Sequence, residues 1–191
     1  MTEPALTRAR ILDAAQDALR RHGLAKANVV DVARALGVSH GSVYRFFPSK
    51  AALREAVTAR FLHAIMAELD AIQTTPAPAR LHDWFAALAA AKRERFRQDP
   101  ELFDAYLTLA AESRAVVEAH VAAMTDAVES ILRAGIAEGS IRDLPPRETA
   151  AALLTATAMF HNPAHAKSWH DPSRPAAFET LWSLLLPGLT P

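Results

Sequence analysis

Apolar residues recur at steps of three and four along almost the whole chain, the period of an amphipathic helix. Ile11, Leu12, Ala15, Ala18 and Leu19 form the first stripe, which predicts a helix capped by Thr7, running to about His22 and stopped by Gly23. Val29, Val32, Ala33 and Leu36 form a second, shorter stripe behind Asn28, and Val43 and Phe47 form a third behind Ser39, over residues 40 to 47 with Phe46 flanking it. From Ser49 a long helix is expected to about Gln73, with Leu53, Val57, Phe61, Ile65 and Leu69 at four-residue steps. Thr74 to Pro78 breaks the pattern, and further helices are expected at about 79 to 97, 100 to 111, 114 to 138, 146 to 161 and 174 to 187. No stretch alternates with period two for a useful length, and no segment repeats. The expected fold class is therefore all-α, with about nine helices: a three-helix N-terminal domain over residues 1 to 48 and a larger helical domain over 49 to 191 that shares helix 49 to 73.

Residues 28 to 50 carry chemistry that packing alone does not require. Asn28 and Asp31 favour a helix start, Gly37 supplies a left-handed stop, and Ser39 caps the next helix after a turn of three to four residues. That arrangement is a helix-turn-helix. On its second helix Gly41 and Arg45 face away from Val43 and Phe47, with Ser42 and Tyr44 on the flanks. A donor-rich face built around a glycine suits close approach to a duplex: Arg45 reaches guanine O6 and N7, and Ser42 and Tyr44 reach phosphates or base edges. The plainer reading is an exposed polar helix face. Lys50 weighs against it, because it occupies the first position of a helix capped by Ser49, where a cation costs about 0.3–1 kcal/mol. A phosphate held there by Lys50, Ser49 and free backbone N–H groups offsets that cost.

The run Gly37–Leu53, GVSHGSVYRFFPSKAAL, resembles the signature of tetracycline-repressor-like transcriptional regulators, in its Gly-Val-Ser, its Gly41-Ser42 pair, Tyr44 and the Phe-Pro-Ser-Lys exit. The resemblance covers about residues 8 to 58 and departs at His40, where the family often carries Lys, and at Arg45, where it often carries His. It implies a homodimer that binds a near-palindromic operator in double-stranded DNA, most simply as a repressor, and a second domain that holds a small, apolar effector. The DNA-contacting set expected on both grounds is Asn28, Ser39, His40, Gly41, Ser42, Tyr44, Arg45 and Lys50. Arg8, Arg10 and Lys26 are further phosphate candidates, although exposed charges need no such reason.

Charge sharpens the division. The chain is neutral overall, with 21 basic and 21 acidic residues, but residues 1 to 60 hold ten Lys/Arg against five Asp/Glu, and the rest hold eleven against sixteen. A basic N-terminal module fits a phosphate binder, and the acidic remainder disfavours a membrane surface. The absence of cysteine excludes disulfides, thiolate metal sites and a Cys nucleophile, and a chain with neither a signal-like start nor a long apolar run is expected in the cytoplasm.

In the larger domain, Phe61, Met66, Trp84, Phe85, Phe103, Tyr106, Leu109 and Met124 are either ordinary core or the lining that the resemblance implies for an effector, with His63, His82, His120, Tyr106 and Glu112 as candidate polar contacts. The helices at 146 to 161 and 174 to 187 are apolar on more than one side, so Leu154, Ala158, Phe178, Trp182 and Leu185 are expected at a dimer interface with Trp182 as anchor; burial within one subunit is the alternative. His161, His165 and His170 with Asp171 invite a metal reading, but Pro163 interrupts the helix that would align the first two, and Trp169 suits a cap at the dimer edge or pocket mouth. No phosphate loop, nucleophile elbow or paired-acid cleft is present, so neither catalysis nor a cofactor is expected. The rival reading is a DNA-binding adaptor or architectural protein without a ligand.

Overall fold

The computed structural model describes residues 5–24 and 28–191; Lys26 and most of the N-terminal arm proposed for residues 1 to 6 lie outside them. Among the described residues there are helices and turns and no strand. The α-helices are α1 (Arg8–His22), α2 (Val29–Ala35), α3 (His40–Tyr44), α4 (Lys50–Asp70), α5 (Ala77–Gln98), α6 (Pro100–Glu112), α7 (Arg114–Ala137), α8 (Pro146–Ala156), α9 (Ala158–His161) and α10 (Arg174–Leu189), with a 3-10 segment at Pro163–Ser168.

The caps fall where side chains supply them. Thr7 accepts from Arg10 N, Asn28 from Val30 N and Asp31 N, Ser39 from Ser42 N, and Asp99 from Leu102 N. Gly23, Gly37 and Gly139 take positive φ, and each follows a helix end.

Two expectations change. Helix 146 to 161 is broken at Thr157, whose Oγ1 donates to Leu153 O at 2.8 Å. The carbonyl of Leu154 is met by His161 Nε2 at 3.2 Å. The C-terminal helix, in contrast, continues through Pro187 to Leu189.

The chain forms two compact units, one from the chain up to Leu62 with Asp99–Val117, the other from His63–Gln98 with Glu118–Pro191. The expected break at 48/49 is thus displaced, for a packing reason: Leu53 and Val57 of α4 are buried in the same core as Ile11, Leu19, Val32, Val43 and Phe47, and α6 adds Ala105, Tyr106 and Leu109 to it. Phe61 stacks on Tyr106 with centroids 3.9 Å apart, and the Tyr106 hydroxyl accepts from Gln16 Nε2 at 2.9 Å. Arg60 pairs with Asp13, and Arg54 with Glu112 at 2.5 Å, so α4 is tied to both α1 and α6 inside the first unit.

The second unit packs α5 against α9 and α10. Leu81, Trp84, Phe85, Leu88 and Phe96 are buried along α5, and Met124, Val128, Ile131 and Leu132 along α7. Gly135 has a steric duty here, since a Cβ would lie 2.6 Å from Ile141 Cδ1 and 2.7 Å from Ala77 Cβ. His82 joins α5 to α10: its ring meets Asp83 at 3.1 Å and Glu179 at 2.9 Å and lies 5.7 Å from Trp182. Burial works against the His82 imidazolium, but the hydrogen bonds to Asp83 and Glu179 outweigh it and raise the pKa.

Candidate functional site

α3 is only five residues long, shorter than the 40 to 47 expected, because Arg45 leaves the helix and the chain turns through Phe46. Phe46 N and Phe47 N both bond to Val43 O, which folds the turn back and buries Phe47 completely beside Val43, while Phe46 is half-buried. His40, Gly41, Tyr44 and Arg45 are exposed on the other side, and His40 and Tyr44 meet edge to face at 6.4 Å. Ser42 is half-buried and its Oγ lies 2.9 Å from Ser39 Oγ, so these two hydroxyls serve first as a cap on α3.

Gly41 is informative because the chain itself leaves it room. A Cβ there would meet Ser39 Oγ at 3.7 Å, ordinary contact, and φ is not in the left-handed region. Neither backbone strain nor internal crowding requires glycine at the centre of this face.

The flanks agree in chemistry. Ser49 Oγ accepts from Ala52 N at 3.0 Å, which makes it the cap of α4. Lys50 is the first residue of that helix, exposed, with no acidic residue in the first turn. The cation therefore stands at the positive end of a helix dipole, an arrangement favourable only toward an anion shared with the free N–H groups. Asn28 has a double duty, capping α2 and bonding Asp31 Oδ2 at 2.6 Å. The flanking arginines turn inward instead: Arg8 donates to Phe46 O at 3.2 Å and lies 4.3 Å above the Phe47 ring, and Arg10 donates to Ala5 O at 3.0 Å.

The eight aromatic and apolar residues proposed as an effector lining divide four and four. Phe61, Phe103, Tyr106 and Leu109 belong to the first unit, and Met66, Trp84, Phe85 and Met124 to the second. Within the second unit a recess of about 230 Å³ is lined by Ala89, Arg93, Phe160, Trp169, Arg174 and Phe178, among others, and by none of those four. Of the polar candidates, His63 is exposed and Glu112 is engaged by Arg54. His120 is 8% exposed with its Nε2 unpartnered.

The proposed dimer residues are mostly used within the subunit. Trp182 is 4% exposed and packs on Phe85, Phe178 and His82, so almost no surface remains for a partner. Leu154 and Phe178 are likewise buried, while Ala158 and Leu185 are half-buried. The exposed apolar residues on these elements are others: Leu184 at 73%, Met159 at 46%, and Ala151, Ala152 and Ala156 along one side of α8. Of the three clustered histidines, His161 is buried and bonded to Leu154 O, His165 is exposed, and His170 lies 4.9 Å from the Phe96 ring. Trp169 is buried and donates to Met159 O at 2.9 Å.

Sequence reading missed Lys92. It sits four residues from both Leu88 and Phe96 on the inner stripe of α5 and is 5% exposed. The signal was available, since a lysine in the middle of an apolar four-residue stripe cannot reach water without leaving the stripe. Burial lowers its pKa to about 8. The same burial, with the Lys92 charge nearby, lowers His120 and His161 to about 4, so both imidazoles are neutral at physiological pH.

Among the described residues no helix is long and apolar enough to cross a membrane.

Residues 11–57 match the family described as bacterial regulatory proteins, tetR family, and residues 77–182 match the tetracyclin repressor-like C-terminal domain. No curated protein matches the chain. Among solved structures, a TetR transcription regulator from Haloarcula marismortui is 20% identical with a TM-score of 0.74, over 96% of this chain and 97% of that one. SmeT of Stenotrophomonas maltophilia, the repressor of the multidrug efflux pump SmeDEF, is 22% identical with a TM-score of 0.67, over 100% and 93%. A complex of SmeT with triclosan superposes with the same TM-score of 0.67 at 20% identity, over 96% and 91%. These likenesses carry the fold, and the two matched domains, the second of which spans more than half of the sequence, carry the family: the chain belongs to the tetR family of bacterial regulatory proteins, DNA-binding regulators of transcription.

Proposed function

We propose that the protein is a homodimeric, effector-controlled repressor of transcription in the cytoplasm, whose two α3 helices enter successive major grooves of a near-palindromic operator. The observation that carries this reading is the α3 face, where exposed His40, Tyr44 and Arg45 surround a glycine that the chain's own packing does not require. Arg45 reads a guanine edge; Gly41 lets the α3 backbone come close; Ser39, Tyr44, Asn28 and Lys50 hold phosphates. Two-fold symmetry places the half-sites about 34–36 Å apart or at a multiple of that spacing.

Dimerisation uses the exposed apolar side of α8 and α10, with Ala151, Ala152, Ala156 and Leu184 at the contact and Ala158 and Leu185 at its edge. Leu154, Phe178 and Trp182 support that surface from behind. The effector enters the second unit; the structural neighbour SmeT, solved as a complex with triclosan, is in keeping with a small-molecule ligand. Both α4 and α7 run from one unit into the other, at Leu62/His63 and Val117/Glu118 respectively, and so supply the covalent route by which occupancy alters the recognition helices. A coupling of about 1–3 kcal/mol is enough to change operator occupancy substantially.

The test is selection of genomic fragments by the purified protein, followed by sedimentation of the recovered duplex with and without protein. Two subunits per near-palindromic site support the proposal. Recovery of unrelated sequences with no shared half-site overturns the repressor reading in favour of an architectural DNA binder.

A further inference from the structure

A buried cluster on the inner faces of α5, α7 and α9 is left with binding capacity that the fold does not satisfy. Lys92 of α5 is 5% exposed, and no ion pair or hydrogen bond of its ammonium is found among the described residues, although its Nζ is not fully closed off from solvent. His120 of α7 is 8% exposed, and its Nε2 has no partner. His161 of α9 is 6% exposed and takes up the Leu154 carbonyl freed by the break at Thr157. All three lie in the second unit, near enough for the Lys92 charge to act on both rings.

An uncompensated ammonium and an unpartnered imidazole nitrogen are costly in an apolar interior, and an anion that accepts from both cancels the cost. The surroundings specify the rest of the ligand. Leu88 and Phe96 lie one turn either side of Lys92, and Met124 lies one turn beyond His120, all buried. A compact carboxylate would suit Lys92 and His120, and an apolar body would suit the Leu, Phe and Met side chains.

We propose that the effector recognised by the second unit is an amphipathic carboxylic acid, bound as its anion by Lys92 and His120 and packed by its apolar part along α5 and α7. The proposal rests on the effector-controlled reading above and narrows its ligand class from apolar to anionic-amphipathic. Neutral drugs of the same bulk lack the oxygen pair that the cluster requires.

The full-length protein is titrated by calorimetry and thermal melting with octanoate, 4-phenylbutanoate and 2-naphthoate, each beside its methyl ester. The expected result is a melting-temperature increase of several degrees with at least one acid, at least tenfold weaker binding of its ester, and loss of the acid response in Lys92→Met. That variant is expected to fold and to melt at or above the wild-type temperature, since it removes a buried unpaired charge. His120→Leu weakens the acid less and leaves the ester unchanged. Acid and ester binding alike, acid affinity within twofold of wild type in Lys92→Met, no response to any of the acids, or a lower melting temperature for Lys92→Met would each overturn the proposal. Fluorescence anisotropy on the selected duplex separates the two readings. DNA binding without any acid response leaves the regulator standing and removes the anion site, while an acid response without DNA binding does the reverse.

Discussion

The two units differ in where their most informative basic side chains lie, exposed on the first and enclosed in the second. In the first, Val43 and Phe47 are fully buried, Tyr106 is satisfied by Gln16, and Arg54 and Arg60 are paired with Glu112 and Asp13, although Arg54 Nε and Ser113 Oγ are buried without a partner. On its surface His40, Tyr44, Arg45 and Lys50 are exposed. In the second unit Arg147 pairs with Asp126 and Glu129 at the surface, whereas Lys92 is 5% exposed and the buried Arg80 Nε and His120 Nε2 have no partner.

Acid should break the second side of that contrast with the largest effect. Both buried histidines have folded-state pKa values of about 4 against 6.5 when unfolded. The unfolded chain therefore takes up protons first, stability falls as pH drops from about 6.5 to about 4, and below that the two groups add no further dependence. Each contributes on the order of 3 kcal/mol over that window, which urea unfolding at a series of pH values measures directly. A stability curve flat over that range would show that the rings are solvated and the cluster is not a closed interior.

Gly135→Ala should cost about 2–3 kcal/mol by overpacking against Ile141 and Ala77. Lys92→Met should move stability the other way, by about 2 kcal/mol, because the charged lysine is held below its normal affinity for a proton. The pair tests whether the second unit is tight everywhere but at the cluster, and chemical denaturation of both variants in parallel gives the signs. Gly41→Ala sharpens the first side. Its stability should stay equal or rise by up to about 1 kcal/mol, as alanine favours helix and nothing crowds its Cβ, while affinity for the selected duplex falls. Loss of stability instead would make Gly41 a packing residue.

How far the sequence carried differs between the same two regions. The helix-turn-helix was legible because each of its parts is a local signal: caps at Asn28, Ser39 and Ser49, a left-handed Gly37, and apolar spacing that buries Val43 and Phe47. Even there, the use of Arg8 to hold Phe46 depends on a contact made across 38 residues. In the second unit the helices were legible, but the partners of their faces were not. Trp182 has the composition of an interface anchor and is covered within its own subunit by Phe85 and His82, two residues almost a hundred positions away. The split of the aromatic set between units likewise follows from α6 joining the first core, which no spacing along α6 announces. Lys92 was readable and was passed over, since a single cation in an apolar stripe looks like a solvated edge until the neighbouring helices close around it.

The central claim, that α3 and the start of α4 divide base reading from phosphate holding, is tested most directly by anisotropy on the selected duplex and on single-base variants of it across a salt series. For Arg45→Ala the account predicts a loss of about 1–3 kcal/mol confined to one base position. For Lys50→Ala it predicts weaker binding to every duplex and a salt slope shallower by about one unit. Indistinguishable behaviour of the two variants would contradict it.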